Sequence, residues 1–397
     1  MSSIRAEPEP RGRLFEGVAA SVLERALASL EGGTLEVGLP DGSVRRFGTG
    51  APVRLDIESR TFFRRIATRG KLGLGESYTA GEWSSDDLVG LFELLLRNAA
   101  AASERHARVR RLLELRPRLD RRNGFARARR NIAYHYDLGN ELFALMLDET
   151  MTYSCAVFEH DRQSLADAQR AKYERLCNAL KLGPGDHVLE IGCGWGGFAE
   201  HAAATRGCRV TGLTISQEQA RYARARTAGL PVEIREEDYR LVQGTFSKVV
   251  SIEMLEAIGA DQFTTYFETI DRVLEPGGAA AVQTILVPEQ RWDRYRRSPD
   301  WIERYVFPGC LIPSLESLAR AAKTTRLAIY GVEEIGEHYA ETLRQWRARF
   351  HAKIDDVRML GYDTRFERTW DFYLAFCEAA FRVRALRDAQ LLLARSG

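Results

Sequence analysis

The stretch Val188-Leu189-Glu190-Ile191-Gly192-Cys193-Gly194-Trp195-Gly196-Gly197 constrains this 397-residue chain more than any other, because a short apolar run leads into a glycine turn and then a helix. Glycine permits positive φ and close approach of the backbone to a ligand, and the N-terminus of the helix that follows presents unpaired N–H groups. From Gly183 onward, short apolar runs alternate with amphipathic helices, the signature of a parallel sheet covered on both faces. Strands are predicted at His187–Ile191, Arg209–Leu213, Val232–Arg235, Lys248–Ile252 and Ala279–Ile285. The expected fold class is therefore α/β, a Rossmann-like doubly wound sheet, in which ligands bind beyond the carboxyl ends of the strands.

Gly192, Gly194 and Gly197 also satisfy the dinucleotide pattern GxGxxG. That reading requires an acid roughly 20 residues on, at the end of the second strand, to hold a ribose. The chain has Gly212-Leu213-Thr214-Ile215-Ser216 there, with no carboxylate. Glu190 directly before the glycines, and Glu237-Asp238-Tyr239 after the third strand, are instead typical of class I S-adenosylmethionine-dependent methyltransferases, whose sheet has seven strands.

The front of the chain has a different texture. Residues 10–30 read as a helix and Thr34–Phe47 as a hairpin, with Leu35, Val37 and Leu39 alternating before the turn Pro40-Asp41-Gly42. A further helix is expected from about Asp86 to Ala100, after the start signal Ser84-Ser85-Asp86. This predicts a small, lipid-associating α+β domain over 1–100, an Arg-rich linker over 101–130 and a catalytic domain with lipid-binding insertions over 131–397. Net charge is +2, yet residues 1–130 hold 24 basic and 17 acidic side chains, and Arg105–Arg130 alone contains eleven arginines. With Phe125 as its one aromatic, the stretch lacks the interleaved rings of a nucleic-acid binder. An anionic membrane surface suits it better, at about 1 kcal/mol for each basic residue near the headgroups.

The six cysteines form no CxxC pair and lie near no His at ligand spacing, so neither a metal site nor a disulfide framework is expected. The N-terminal MSSIRAEPEPRGRLFEG has acids and prolines where a signal peptide needs an apolar centre, and no apolar run reaches about 18 residues. A cytoplasmic protein, peripheral at the inner face of the membrane, is the resulting expectation.

Several ordered motifs narrow the chemistry. They are Tyr134-His135-Tyr136-Asp137-Leu138-Gly139-Asn140, Tyr153-Ser154-Cys155-Ala156, LEIGCGWGGF, LTISQEQ at 213–219, EDYR at 237–240, EMLEAIG at 253–259, Phe307-Pro308-Gly309 and Leu311-Ile312-Pro313-Ser314. In these the chain resembles the cyclopropane-fatty-acyl-phospholipid synthase family, relatives of the mycolic acid cyclopropane synthases. Leu74-Gly75-Glu76-Ser77-Tyr78 and Gly81-Glu82-Trp83 also look like the front domain of the longer members.

The resemblance implies transfer of a one-carbon unit from S-adenosylmethionine to the double bond of an unsaturated phospholipid acyl chain. It assigns Tyr153 and Ser154 to the methionine end of the cofactor, Gly192 and Gly194 to its centre, Gln219 to the ribose, and Asp238 and Tyr239 to the adenine, with Glu190 a further cofactor-binding residue. His135, Tyr136 and Tyr305 would shape the acyl pocket. Methyl transfer leaves a carbocation, and the resemblance implies that a bound bicarbonate removes the proton, held at Cys155, Glu256, Gln283, Ile285 and Tyr339. Two positions depart from the family pattern: the common Glu-His-Val-Gly is Glu256-Ala257-Ile258-Gly259, and a usual His is Gln283. Gln donates a neutral hydrogen bond but cannot become cationic, which leaves a cyclopropane, a methylene or a methyl-branched product open. The family leaves room for a homodimer and for a partner reductase. Two other readings stand beside this one, a methyltransferase for a soluble small molecule and a non-catalytic lipid-binding partner of an active relative.

Overall fold

The computed structural model describes Leu27 and residues 30–105, 139–298 and 300–396. The helix expected over 10–30 lies almost wholly outside them, as do the Arg-rich stretch beyond Arg105 and the candidates His135 and Tyr136. Two compact units emerge, one from Met1–Pro117 with Tyr362–Val383 and one from Arg118–Gly361 with Arg384–Gly397.

In the first unit, β1 (Thr34–Gly38) pairs antiparallel with β2 (Val44–Gly48), which sets Leu35 opposite Phe47. The expected hairpin turn is made by Gly42 at φ 84°, whose N–H donates to the Leu39 carbonyl. β3 (Pro52–Ile57) lies parallel to β1 on its other side and β4 (Trp83–Ser84) closes the sheet in the order β2-β1-β3-β4. The helix Leu88–Arg105 starts later than predicted, because Asp87 accepts the Gly90 N–H at 2.8 Å.

One segment departs from the expected boundaries. The helix Thr364–Arg382, predicted within a continuous catalytic domain, belongs to the first unit. Phe372 meets Phe92 edge-on at 4.9 Å, Tyr78 Oη donates to Asp371 at 2.8 Å, and Arg368 lies 4.1 Å from the Tyr78 ring centre while donating to the Trp83 carbonyl. The helix bearing Phe92 and Leu91 has an apolar stripe that needs a cover, and periodicity within a segment does not say which distant segment provides it.

The second unit is the seven-stranded sheet. β5 (His187–Ile191) has its predicted bounds, and β6 (Arg209–Thr214), β7 (Val232–Glu236), β8 (Phe246–Ile252) and β9 (Leu274–Leu286) are the other predicted strands with one or both ends shifted. β10 (Leu327–Glu334) and β11 (Arg387–Arg395) complete the order β10-β11-β9-β8-β5-β6-β7, with β11 antiparallel to both neighbours. Side chains alternate between the two faces of a strand, and the core divides accordingly. Val188, Val250 and Ala281 pack with Tyr173, Leu176 and Phe198 on one face. Leu189, Val249 and Val282 pack with Phe263, Tyr266, Ile270 and Leu318 on the other. The chain leaves β5 for β6 on one side and β8 pairs on the other, so the order reverses at β5 and a crevice opens beyond its carboxyl end. Among the described residues no helix is long and apolar enough to cross a membrane.

Candidate functional site

β5 delivers Glu190 and Ile191 to this crevice and then turns through Gly192, Gly194 and Gly196, all at positive φ, into the helix Gly197–Arg206. A Cβ at Gly192 would sit 2.7 Å from Met254 Cγ at a φ of 84°. Gly192→Ala is therefore expected to weaken S-adenosylmethionine binding by about tenfold, ~1.4 kcal/mol, in a calorimetric titration. Unchanged affinity would mean that the turn does not approach the ligand.

All eight cofactor candidates, Tyr153, Ser154, Glu190, Gly192, Gly194, Gln219, Asp238 and Tyr239, line this single cleft. Burial, partly offset by the Lys172 ammonium, pushes the Glu190 carboxyl up to about 8, and its Oε2 has no protein partner. An orphaned buried carboxyl of this kind fits a ligand with a cationic centre. Ser216 caps the helix Gln217–Arg226 by accepting from the Gln219 N–H, and Thr214 Oγ1 donates to Gln219 Oε1 at 2.9 Å. That bond fixes the Gln219 amide, and among the described residues no acceptor takes its nitrogen. Asp238 is committed to Arg240, which meets it at 2.6 Å and 2.8 Å. Tyr239 is chiefly core, edge-on to Tyr266 at 5.7 Å, yet its buried hydroxyl is unpartnered.

Behind the cleft lies a cluster of buried acids. Glu256, in the short 3₁₀ turn Leu255–Ala257, accepts from Thr284 Oγ1 at 2.8 Å and from the Ile285 N–H at 2.5 Å, while its Oε2 is unpartnered. Burial first, and the nearby Glu253 second, push its carboxyl up to about 8. Asp388, on β11, is driven well above the usual carboxylate range by the same two causes. Lys172 is fully buried and donates to Ser154 Oγ at 2.6 Å; desolvation brings its ammonium down to about 8 against the pull of Glu253. Burial raises the Cys155 thiol well above its ordinary value, and Sγ donates to the Ala156 and Ile335 carbonyls. The cysteine side chain therefore stays a thiol, while its backbone N–H donates to Glu253 and its carbonyl accepts from Gln283 at 3.3 Å.

Glu253 stands at the centre, directly after β8, and also lines the cleft. Its Oε1 accepts from the Cys155 N–H at 2.8 Å and from Gln283 Nε2 at 2.9 Å, and its Oε2 accepts from Tyr339 Oη at 2.6 Å. Its backbone is left-handed at φ 48°, a conformation that costs an ordinary residue about 1–2 kcal/mol. The expected anion-holding set, Cys155, Glu256, Gln283, Ile285 and Tyr339, does assemble here. Its donors are taken, however: three go to Glu253 and the Ile285 N–H goes to Glu256. The residues present do not fit a bound bicarbonate.

Tyr305 lies on the short helix Trp301–Tyr305, 5.5 Å from the Trp301 ring, and is not among the cleft-lining residues. Sequence reasoning singled out neither Glu253, Lys172, Asp388 nor Thr284. Lys172 carried a signal, because it sits on the buried stripe Leu165, Ala168, Lys172, Leu176 of the helix Leu165–Leu180, where a cation is out of place. Glu253 carried one as well, an acid ending the apolar run Val249-Val250-Ser251-Ile252.

Comparison with known proteins agrees with this geometry. A family model described as mycolic acid cyclopropane synthetase matches residues 124–391. Tuberculostearic acid methyltransferase UfaA1 of Mycobacterium tuberculosis is 43% identical over 352 residues, covering 84% of this chain and 81% of its own length. Cyclopropane-fatty-acyl-phospholipid synthase of Escherichia coli K12 is 36% identical over 345 residues, 87% of this chain and 88% of its own length. The solved structure of mycolic acid cyclopropane synthase CmaA1 complexed with SAH and CTAB superposes with a TM-score of 0.63 at 28% identity, covering 67% of this chain and 98% of that one.

Proposed function

Since this chain belongs to the mycolic acid cyclopropane synthetase family, and so is an S-adenosylmethionine-dependent methyltransferase acting on lipid acyl chains, we propose that its substrate is the unsaturated acyl chain of a phospholipid. The relative named for phospholipid aligns over 87% of this chain, whereas the solved mycolic acid enzyme covers 67%. The front of this chain is thus accounted for by relatives of the former kind.

The observation that carries the proposal is the wall around Tyr153. Tyr153 lines the cofactor cleft, and its ring lies 5.2 Å from Phe143, 5.1 Å from Trp346 and 6.4 Å from Phe307. An apolar aromatic surface beside the cofactor suits a hydrocarbon and excludes water, and ring faces stabilise a cation that forms against them. When bound, S-adenosylmethionine supplies an electrophilic methyl on a cationic sulfur. The glycine turn and Gln219 hold the cofactor, Glu190 offers a carboxyl beside its positive charge, and Tyr153 with its neighbours positions the alkene and shields the carbocation. A proton must then leave the added carbon, which requires a base at the cluster behind the cleft. A ring or a methylene group results from proton loss alone, whereas a methyl branch needs a hydride donor and hence a separate reductase.

The test is incubation of the purified protein with S-adenosylmethionine and vesicles of mixed anionic and zwitterionic monounsaturated phospholipid. Acyl chains are expected to gain one CH2, at a rate that falls as added salt screens the arginines of 105–130. Transfer to water-soluble acceptors with none to vesicles would overturn the reading.

A further inference from the structure

We propose that the carboxylate of Glu253 is itself the base that completes the reaction, taking the place of a dissociable anion. The inference rests on the one-carbon transfer proposed above. Three observations carry it. First, Glu253 belongs both to the wall of the cofactor cleft and, through the bonds to its carboxylate, to the buried cluster behind it. Second, the three groups that hold it, the Cys155 N–H, Gln283 Nε2 and Tyr339 Oη, come from the very residues that the family resemblance assigns to an anion. Third, the chain keeps a charged residue in the left-handed region at this position, where glycine would be unstrained.

The surroundings define what this carboxylate can do. Gln283 pairs in register with Gln390 across β9 and β11, and Gln390 Nε2 donates to Gln283 Oε1 at 3.1 Å. That bond turns the Gln283 amide nitrogen toward Glu253, so Gln283 donates to the carboxylate and cannot itself accept a proton there. Oε1 accepts from two donors and Oε2 from one, and the Asp388 carboxyl also hydrogen-bonds to this side chain. Lys172 places a buried ammonium close to the carboxylate, which pulls against the desolvation of that ammonium.

The step balances without a further reactant. The methyl carbon bonds to one alkene carbon as its bond to sulfur breaks, with both electrons passing to sulfur, and the neighbouring carbon becomes cationic. A C–H bond of the new methyl then breaks, and the proton passes to Glu253 Oε2. The released pair closes the ring or, after a hydride shift between the two former alkene carbons, forms a methylene double bond. Glu253 returns its proton to solvent as the product leaves.

The wild-type protein tests this first. In buffer stripped of carbon dioxide and bicarbonate, its turnover on monounsaturated phospholipid is expected to stay within about twofold of that with added bicarbonate. Glu253→Gln keeps the shape and removes the base, so turnover is expected to fall at least ~100-fold, with S-adenosylmethionine affinity by calorimetry within about threefold. Glu253→Gly frees the donors, and added bicarbonate or formate is expected to restore its turnover at least ~10-fold. A wild-type rate that collapses without bicarbonate and returns with it would overturn the inference, as would a loss in Glu253→Gln smaller than about tenfold. If the wild type transfers no carbon to any acyl lipid, the failure belongs to the proposed function instead.

Discussion

Lys172→Met is expected to lower folding stability by about 3–5 kcal/mol, the range seen when one partner of a buried charge pair is removed. Lys172 is fully buried on the helix Leu165–Leu180, and Glu253, Asp148 and Asp388 all pull on its ammonium. Methionine fills a similar volume, so packing changes little. What changes is electrostatic: Glu253 loses the neighbouring cation, and Ser154 Oγ loses a donor at 2.6 Å. Urea unfolding at pH 7 measures the difference. A loss below about 1 kcal/mol, as for an exposed pair, would show that the cluster is not organised around this ammonium.

The second large effect concerns pH. Burial holds the Glu190 and Glu256 carboxyls at about 8 in the folded protein, against an unfolded value of 4.5, and drives Asp388 upward as well. Below pH 4.5 both the folded and unfolded chains keep these protons. Between 4.5 and about 8 the unfolded chain has released them and the folded one has not, so each step up in pH favours unfolding. His187, His201 and His338 are held below their ordinary value by burial and act in the opposite sense near pH 6, but the carboxyls span the wider window. The melting temperature is expected to fall from pH 5 to pH 8, with a shallower slope in Glu256→Gln. A melting temperature that rises over this interval would mean that these carboxyls ionise in the folded protein. Bound S-adenosylmethionine should flatten the curve further, since a cation near Glu190 favours its ionised form.

The glycine turn and the five central strands were legible because each depends on local chemistry. An apolar run announces a strand, glycines announce positive φ, and the carboxyl ends of parallel strands fall at one edge once the alternation of strand and helix is recognised. β10 and β11 were harder. β11 reads Arg387-Asp388-Ala389-Gln390-Leu391, with polar residues where an interior strand should be apolar. Of these, Asp388 and Gln390 face the buried cluster through Gln283, so the polar partners of that cluster hide the strand that carries them.

By itself the sequence determined the glycine turn and the central strands that lead to it, since backbone preference and hydrophobic period act over a few residues. The tertiary structure alone decided which acid the donors hold. Cys155, Glu253, Gln283 and Tyr339 are separated by up to 184 positions and meet only when the sheet closes. It also decided that the helix Thr364–Arg382 returns to the N-terminal unit. A hydrogen bond depends on distance in space and burial on what covers a face, and neither is a property of neighbours along the chain.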